Sequence, residues 1–374
     1  MPDDGVAEGL RRSLNAALDL QLFLFAARSP ATGKRLVRST LMPSSRYDVL
    51  GLGNAIVDVI SLADDDFLLK QGLNKGAMTL IDEARAEELY RAMAPATIVS
   101  GGSAANTIIG LASLGCSAAF IGKVKSDELG GMFAHDIRAS KIGFSTAPAS
   151  DGPASARCLV LVTPDGQRTM NTFLGAAQNL TETDVDVETV RRSSIVYLEG
   201  YLWDPPEAKA AFVKASKIAR AAGQRVALSL SDSFCVDRYR DEFIGLIRSG
   251  AAQILFANES ELHSLYQTSD FYTALTQLQA ENILAVVTRS EQGSVVVNAQ
   301  EVVTAPAFPV ERVIDTTGAG DLFAAGFLAG LTKGKDLETC ARLGALAAAE
   351  IIQHIGARPQ TDLAQLAAQN GFVL

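Results

Sequence analysis

The sequence predicts a three-layer α/β/α protein, in which helices cover both faces of a mainly parallel central sheet. Short apolar runs such as 47–53 alternate with segments of helical spacing such as 82–93 along most of the chain. Strands that are separated by helices form parallel β-α-β units, and their helices cover the sheet. No linker rich in Gly, Ser or Pro divides the chain after Met42. We therefore expect one main domain over 43–374.

The composition narrows the class of protein further. The chain has 374 residues, of which 48% are hydrophobic and 20% are charged, so it can bury a full core and is not disordered. Its formal net charge of −9 argues against nucleic acid as a partner, because surfaces that bind the phosphate backbone are basic. The 4 cysteines are far apart and indicate neither a zinc cluster nor a disulfide framework. We expect a reducing compartment and a cytoplasmic location.

The segment 1–42 is predicted to be an N-terminal extension, either non-essential or a leader. Its stretch 14–27 is the only candidate membrane segment, but it contains Asp19 and is shorter than the roughly 20 apolar residues that span a bilayer. The stretch 20–47 lacks acids, as transit peptides do, whereas the acidic beginning of the chain argues against one. We favour Met42 as the functional start and expect no membrane association.

The predicted elements follow one another in a regular order. Strands are expected at 47–53 and 118–124, with a further apolar run at 56–60. Helices are expected at 82–93, 104–114 and 127–140. The second half contains short apolar runs at 195–198, 225–230, 254–256 and 285–288. Helical stretches separate most of these runs, notably 206–222, which begins with Pro206 and ends before Gly223.

One segment interrupts this alternation. The strand-like runs 156–163 and 168–174 flank Pro164-Asp165-Gly166, which is a strong hairpin signal. A hairpin inserted into a parallel fold is a candidate lid over an active site, and an ordinary excursion at the sheet edge is the alternative. We expect a small β-sheet lid contributed by about 56–80 and 156–174.

Two glycine-rich segments have ambiguous patterns. Gly51-Leu52-Gly53 begins like a dinucleotide-binding fingerprint but lacks its third glycine, so a tight turn is the simpler interpretation than an NAD-dependent oxidoreductase. Gly101-Gly102-Ser103 opens a helix, with Asn106 one turn later. Its glycines permit close approach of a ligand and Ser103 can cap the helix, but a plain helix start is equally compatible with the pattern.

A third segment, Asp315-Thr316-Thr317-Gly318-Ala319-Gly320-Asp321, points more clearly to chemistry. It leads into an apolar helix over 322–331, so its backbone amides and the positive helix end converge on one spot. Such a spot suits a transferring phosphoryl group. Asp321 lies beside it and could accept a proton from an attacking hydroxyl, or it could simply complement the helix dipole. No Gly-Lys-Ser/Thr follows the glycines, so this is not a Walker loop.

Together these segments resemble a known family. GGSAANTIIGLASLG (101–115) and DTTGAGDLFAAGFLAGL (315–331) are similar to the two signatures of the ribokinase-like, or PfkB, carbohydrate kinases, and Asn258-Glu259-Ser260-Glu261 resembles that family's N-x-x-E element. The resemblance covers about 46–360. Within the family, 51–58, 199–203 and 228–234 are most similar to the bacterial adenosine kinases. The resemblance implies a ribokinase-like fold and ATP-dependent phosphorylation of the 5′-hydroxyl of adenosine to AMP.

The resemblance also implies roles for individual residues. The catalytic group would comprise Asp321 as base, the anion-hole residues Gly318, Ala319 and Gly320, and the lid residue Arg168, which would reach the phosphate on closure. The sugar would be held by Asn54, Asp58, Gly101, Gly102, Ser103 and Asn106. The nucleotide would be held by Asn258, Glu261, Thr288, Asp315, Thr317, Gly318 and Gly320. Glu261 would act on Mg²⁺ through water, and K⁺ is a further candidate cofactor.

Several alternatives remain open from the sequence. The acceptor could be another nucleoside such as guanosine or inosine, or a sugar such as ribose or fructose, and the chain could instead be a catalytically silent ligand sensor. A monomer and a homodimer are both compatible with the family. Met78, Leu80 and Trp203 are candidates for an apolar pocket around the base. Ser290 stands where many members carry glycine in a T-x-G element near the nucleotide.

Overall fold

The structure, a computed structural model, describes residues 47–374. The predicted extension over 1–42 lies outside the described residues. The strands are β1 Tyr47–Leu52, β2 Ile56–Leu62, β3 Met78–Leu80, β4 Ala96–Gly101, β5 Ala118–Ile121, β6 Ala156–Val162, β7 Arg168–Phe173, β8 Ser193–Glu199, β9 Arg225–Ser229, β10 Ile254–Asn258, β11 Leu284–Thr288, β12 Ser294–Val297 and β13 Val302–Ala305.

The helices separate most of these strands, as the alternation predicts. They are α1 Asp65–Lys70, α2 Glu83–Ala92, α3 Ser103–Ser113, α4 Glu128–Ala139, α5 Val187–Arg191, α6 Pro206–Ala221, α7 Ser233–Arg248, α8 Glu259–Tyr266, α9 Phe271–Ala280, α10 Ala319–Thr332, α11 Leu337–Ile351 and α12 Leu363–Gln369. Within 47–374, no helix is long and apolar enough to cross a membrane.

The central sheet has eight strands in the order β13-β12-β11-β10-β9-β8-β1-β5. All neighbours from β11 to β5 are parallel, which confirms the predicted mainly parallel sheet. The strands β12 and β13 extend one edge in antiparallel fashion and were not predicted. This edge arises because the chain turns back directly after β11 without an intervening α-helix.

Apolar side chains fill both sides of this sheet. Ile108 of α3, Phe327 of α10 and Leu346 of α11 belong to the core on one face. Phe212 of α6 and Phe243 of α7 belong to the core on the other face. The three-layer arrangement that the sequence predicts is therefore present. All four cysteines are buried and free.

A second sheet has five strands in the order β3-β7-β6-β2-β4. Its strands come from the two segments that the sequence singles out, 56–80 and 156–174, and from β4. β6 and β7 form an antiparallel hairpin whose turn contains Gly166 at φ +80°. Apolar residues of α1 and α2, such as Leu68 and Leu89, cover one face of this sheet.

The starts of the helices differ in a way that matters for the site. Most helices begin at an Asp whose carboxylate accepts a hydrogen bond from a backbone N–H in the first turn, as at Asp82, Asp127 and Asp336. The helices α3 and α10 begin instead at Gly102 and Gly318, which have positive φ and no side chain to cap the helix. These are the two segments that the sequence singles out as ligand-binding.

Candidate active site

A cavity of about 540 Å³ lies at the carboxyl ends of the central parallel strands. Tyr197, Ser229, Asn258 and Thr288, from the ends of β8, β9, β10 and β11, line one side of it. Residues of the second sheet line the opposite side. The lining includes the predicted site residues Asp58, Gly102, Ser103, Asn106, Asn258, Glu261, Thr288, Thr317, Gly318, Ala319, Gly320 and Asp321. Ligands of open α/β sheets bind at this end of the strands.

The starts of α3 and α10 meet in this cavity through hydrogen bonds to Asp321. Ser103 Oγ donates to Asp321 Oδ1 at 2.6 Å, and Asn106 Nδ2 donates to Oδ2 at 3.0 Å. Ser103 is the first residue of α3 rather than its cap, so its hydroxyl is directed across to the other helix. Asn106 Oδ1 is buried without a partner within the described chain. A ligand hydroxyl at this point would satisfy it.

The charge state of Asp321 reflects opposing influences. Burial raises the pKa of its carboxyl group, and the hydrogen bonds from Ser103 and Asn106 and the charge of Arg358 oppose this rise. Each carboxylate oxygen has two lone pairs, so both oxygens can still accept a further proton or hydrogen bond. The group is therefore poised to take a proton from a ligand in the cavity.

The amides beside Asp321 form the candidate anion hole. The Ala319 N–H donates to Thr316 O at 3.2 Å and is therefore already used. In the described structure, the amides of Gly318 and Gly320 are the ones available to an anion. Gly318 has φ +81°, and a Cβ there would lie 2.9 Å from Ala357 Cβ. A Cβ on Gly320 would meet open space. The helix end is thus uncapped and accessible from the cavity, which is what anion binding at a helix N-terminus needs.

Asp58 and Gly101 form one unit on neighbouring strands of the second sheet. A Cβ on Gly101 would lie 2.4 Å from Asp58 Oδ2. Gly101 therefore makes room for the carboxylate and does not itself line the cavity. Burial raises the pKa of Asp58 to about 6, against the lowering charges of Arg168 and Arg358.

Asn54 lies behind the cavity wall, bound to Glu199, which the sequence analysis includes in the segment 199–203 without predicting a role for it. Glu199 Oε1 accepts from Asn54 Nδ2 at 2.8 Å and from Asn54 N at 3.3 Å, and Glu199 Oε2 accepts from Ala104 N at 2.8 Å. Glu199 is fully buried, and this burial raises its pKa to about 7. It caps α3 from a distant strand. The signal in the sequence was an acid at the end of an otherwise apolar run.

The same contact explains Gly51-Leu52-Gly53. A Cβ on Gly53 would lie 2.3 Å from Glu199 Oε2, and one on Gly51 would lie 2.6 Å from Ile108 Cγ1. Gly51 is inside β1, and neither glycine has a positive φ. The predicted tight turn is therefore wrong: these glycines allow close packing of α3 and Glu199. They do not form a dinucleotide cradle.

Arg168 is bonded to the loop that precedes α10. Its Nη1 donates to Asp315 Oδ2 and, at 2.6 Å, to Thr317 Oγ1. Asp315 also accepts from Gly356 N at 2.9 Å and from Thr317 N at 3.0 Å. The Arg168 side chain is only 10% exposed, so it is not an exposed strand arginine. Neither Arg168 nor Asp315 lines the cavity.

Asn258 and Glu261 form a reciprocal cap at the start of α8. Asn258 Nδ2 donates to Glu261 Oε1 at 2.7 Å, and Asn258 N donates to Oε2 at 3.0 Å. Burial raises the pKa of Glu261 to about 7. Between 47 and 374 no group of three or more His, Cys, Asp or Glu side chains could hold a metal ion. One carboxylate at the wall fits Mg²⁺ that keeps its waters and arrives with phosphates, but not a metal site built by the protein.

The element around Ser290 has a backbone conformation that glycine adopts more easily than serine. Thr288 ends β11 and lines the cavity. Ser290 has φ +50°, the left-handed conformation that glycine adopts more easily. Arg289 bonds Glu259 at 3.0 and 3.1 Å and stacks 3.7 Å from the centre of the Phe271 ring, which holds the loop in place.

None of the three candidates for the base pocket lines the cavity. Trp203 packs 5.8 Å from Phe243 in the core on the other face of the sheet and donates to Glu242 at 3.0 Å. Met78 and Leu80 lie in β3, about half exposed and outside the cavity lining. From the predicted regions 199–203 and 228–234, the cavity receives Tyr201, Ser229 and Ser231 instead.

A second missed residue, Arg358, lies in the loop between α11 and α12. Its Nε donates to Ser100 O at 2.6 Å, immediately before Gly101. Burial lowers its pKa to about 10, and the charges of Asp58, Asp136 and Asp321 counteract this. No motif marked this residue, because its proximity to the site arises only from the tertiary fold.

Comparisons with known proteins agree with this geometry. The family model for pfkB family carbohydrate kinases matches residues 77–363. The solved adenosine kinase from Sinorhizobium meliloti is 53% identical, with a TM-score of 0.83, over 87% of this chain and 100% of that one. A probable sugar kinase protein from Rhizobium etli CFN 42 is 50% identical, with a TM-score of 0.83, over 87% and 99%. The adenosine kinase of Saccharomyces cerevisiae is 29% identical over 329 residues, 82% of this chain and 94% of that protein.

Proposed function

Because the chain belongs to the pfkB family of carbohydrate kinases, we propose that it transfers the γ-phosphoryl group of ATP to the 5′-hydroxyl of adenosine, giving AMP and ADP. The observation that carries the proposal is the position of Asp321. This carboxylate lies in the cavity, beside the uncapped start of α10, and is oriented by Ser103 and Asn106 from the start of α3. The 53% identical adenosine kinase of Sinorhizobium meliloti supports the choice of acceptor.

The chemistry follows from these positions. Asp321 takes the proton of the 5′-hydroxyl as that oxygen attacks the γ-phosphorus. A new bond forms between the 5′-oxygen and phosphorus, the bond from phosphorus to the β–γ bridging oxygen breaks, and ADP leaves. The amides of Gly318 and Gly320 and the positive end of α10 stabilise the charge on the equatorial oxygens.

The nucleoside is held from the second sheet and from α3. The Asp58 carboxylate accepts hydrogen bonds from two neighbouring sugar hydroxyls, and the free Asn106 Oδ1 accepts one more. Tyr197, Phe256 and Phe323 supply aromatic surface to the same cavity, against which a purine base can pack. This favours a nucleoside over ribose or fructose.

The nucleotide side fits ATP with Mg²⁺. Asn258 and Glu261 would hold waters of a magnesium ion, which would neutralise phosphate charge when bound. When the second sheet closes as a lid, the Arg168 side chain would leave Asp315 and Thr317 and bond the transferring phosphate instead. The free, buried cysteines fit a cytoplasmic location.

The test is ADP release from Mg-ATP with adenosine, guanosine, inosine, cytidine, ribose and fructose as acceptors, with Asp321→Asn as the matched control. Turnover that prefers adenosine and is lost in the variant is the expected result. A preference for another acceptor would retain the mechanism and overturn the choice of substrate. If no acceptor is turned over, a ligand sensor with this fold becomes the better description.

A further inference from the structure

Arg358 presents buried donors that the described structure leaves unused. Its Nε bonds the carbonyl of Ser100, whereas Nη1 and Nη2 are buried and have no partner within the described residues. A guanidinium is always charged, and its buried N–H groups cost free energy when they are unpaired. Arrangements of this kind persist where a bound molecule or ordered water completes the bonding.

The surroundings of Arg358 indicate which groups it serves. Three carboxylates favour the charged form of Arg358, those of Asp58, Asp136 and Asp321. The Asp136 carboxylate is already engaged, because its Oδ2 accepts from Ser100 Oγ at 2.6 Å. Asp58 and Asp321 are the two that line the cavity. The backbone contact at Ser100 places Arg358 next to Gly101, which packs on the Asp58 carboxylate.

We propose that Arg358 is a positioning residue: its buried guanidinium, anchored at Ser100 beside Gly101, holds Asp58 in the ionised form that accepts the sugar diol. The inference rests on the proposed nucleoside kinase function. Arg358 itself touches no reacting atom.

Two positive charges act on Asp58, and that of Arg168 has the larger effect on its pKa. Arg168 on β7 also acts on Asp58, but its Nη1 is bonded to Asp315 and Thr317. Asp315 and Asp321, from the loop before α10 and from α10 itself, act in the opposite sense and favour a protonated Asp58. Ser103 and Asn106 bond only Asp321. Removing Arg358 therefore leaves Asp58 near Arg168, which is bonded elsewhere, and near the two carboxylates of Asp315 and Asp321.

The test compares Arg358→Met and Arg358→Lys with the wild-type chain on adenosine and 2′-deoxyadenosine over a range of pH. In Arg358→Met, we expect the acidic limb of kcat/KM to move up by about one to three pH units, because the Arg358 charge lowers the pKa values of both Asp58 and Asp321. The limb therefore reports both acids, and the substrate preference is the readout specific to Asp58. The preference for adenosine over the 2′-deoxy compound should fall by about tenfold or more, since the acceptor of the missing hydroxyl is impaired. Arg358→Lys restores the charge and should keep the wild-type limb.

Control measurements separate positioning from mere folding. Arg220→Met removes an exposed arginine of α6 whose guanidinium bonds Ser249 O. This variant should change neither the pH profile nor the substrate preference. A purely structural role for Arg358 predicts equal losses of kcat/KM on adenosine and 2′-deoxyadenosine, with an unshifted acidic limb. That result would overturn the inference. If Arg358→Met does not fold, Arg358→Lys decides: a limb displaced despite the restored charge refutes the proposal.

The proposed function can fail separately. If the wild-type chain prefers another acceptor, the same comparison uses that acceptor and its deoxy analogue. An unshifted limb there counts against Arg358 alone, and the choice of adenosine fails in the acceptor panel.

Discussion

The starts of α3 and α10 are alike in sequence but are completed in opposite ways. Each begins at a glycine with positive φ, Gly102 at +96° and Gly318 at +81°, and neither has a side-chain cap of its own. At α3 the protein supplies the missing partner, because Glu199 accepts the Ala104 N–H at 2.8 Å. At α10 the amides of Gly318 and Gly320 have no such acceptor in the described chain.

The difference separates scaffold from reaction site. The start of α3 is bonded to Glu199, and its Ser103 and Asn106 side chains bond Asp321. The open start of α10 leaves its partial positive charge for a ligand, with Asp321 alongside. We therefore expect the two similar glycine motifs to have different functions, because only the start of α3 has a carboxylate acceptor within the described chain.

The largest expected effect is at the open helix start. Asp321→Asn should lower kcat by about 10³-fold, within the range typical of a lost general base, and leave adenosine affinity within about tenfold. The variant should fold, because the Ser103 hydroxyl can turn to accept from the new amide while Asn106 Nδ2 keeps donating to the remaining oxygen. Single-turnover kinetics and calorimetric titration with adenosine measure the two quantities. Near-normal turnover would contradict the assignment of Asp321 as base.

The next effect contrasts a glycine from each start. In Gly102→Ala, the Cβ would lie 2.2 Å from the backbone oxygen of Asn54, and φ is unfavourable, so unfolding should become easier by more than about 2 kcal/mol. In Gly320→Ala, the Cβ meets open space, and stability should change by less than about 1 kcal/mol. Denaturant unfolding measures both. Equal losses would remove the distinction between a filled and an open start.

A third prediction concerns the cap supplied by Glu199. Glu199→Gln should cost about 1–3 kcal/mol, since an amide NH₂ must face one of the three N–H groups that Glu199 accepts. The folded pKa of about 7 exceeds the ordinary 4.5, so Glu199 contributes stability at low pH that is lost as pH rises through about 7. The loss of unfolding free energy caused by the variant should therefore shrink as the pH rises from the ordinary pKa of 4.5 to about 7.

Unfolding free energies of both proteins across that pH interval test this expectation. The raised pKa values of Asp58 and Glu261 are common to both proteins and cancel in the comparison. A cost that is constant with pH would show that Glu199 does not titrate as expected.

The smallest prediction isolates backbone strain. Ser290 has a positive φ, but its replacement involves no clash of the kind that a Cβ added at Gly102 would make. Ser290→Gly should therefore stabilise the chain by up to about 1 kcal/mol. A destabilised Ser290→Gly would mean that the serine side chain has a role of its own.

Sequence reasoning found the residues whose chemistry is encoded locally. Gly318, Asp321, Ser103 and Asn106 lie in two short segments where glycine, helix start and polar side chain occur together, and the structure brings them into one cavity. Their roles in catalysis remain predictions.

The residues that escaped prediction depend on which strands become neighbours. Glu199 reaches α3 only because β1 and β8 lie side by side, and Arg358 reaches Gly101 only because the loop after α11 returns to β4. Trp203 was misplaced for a related reason, since an aromatic residue after a strand can enter the core on either face of a sheet. Tertiary neighbours of this kind leave no local periodicity to detect.

The position of β1 in the central sheet has a consequence for biosynthesis. β1 is among the first parts of the described chain to leave the ribosome, yet it lies between β5 and β8, and Asn54 bonds Glu199 across 145 residues of sequence. Its hydrogen-bonding edge toward β8 therefore stays open while the intervening chain is translated. Asp321 emerges later still, 218 residues after its partner Ser103. A truncated nascent chain thus lacks Asp321, the proposed base, and only a nearly complete chain can form the whole cavity.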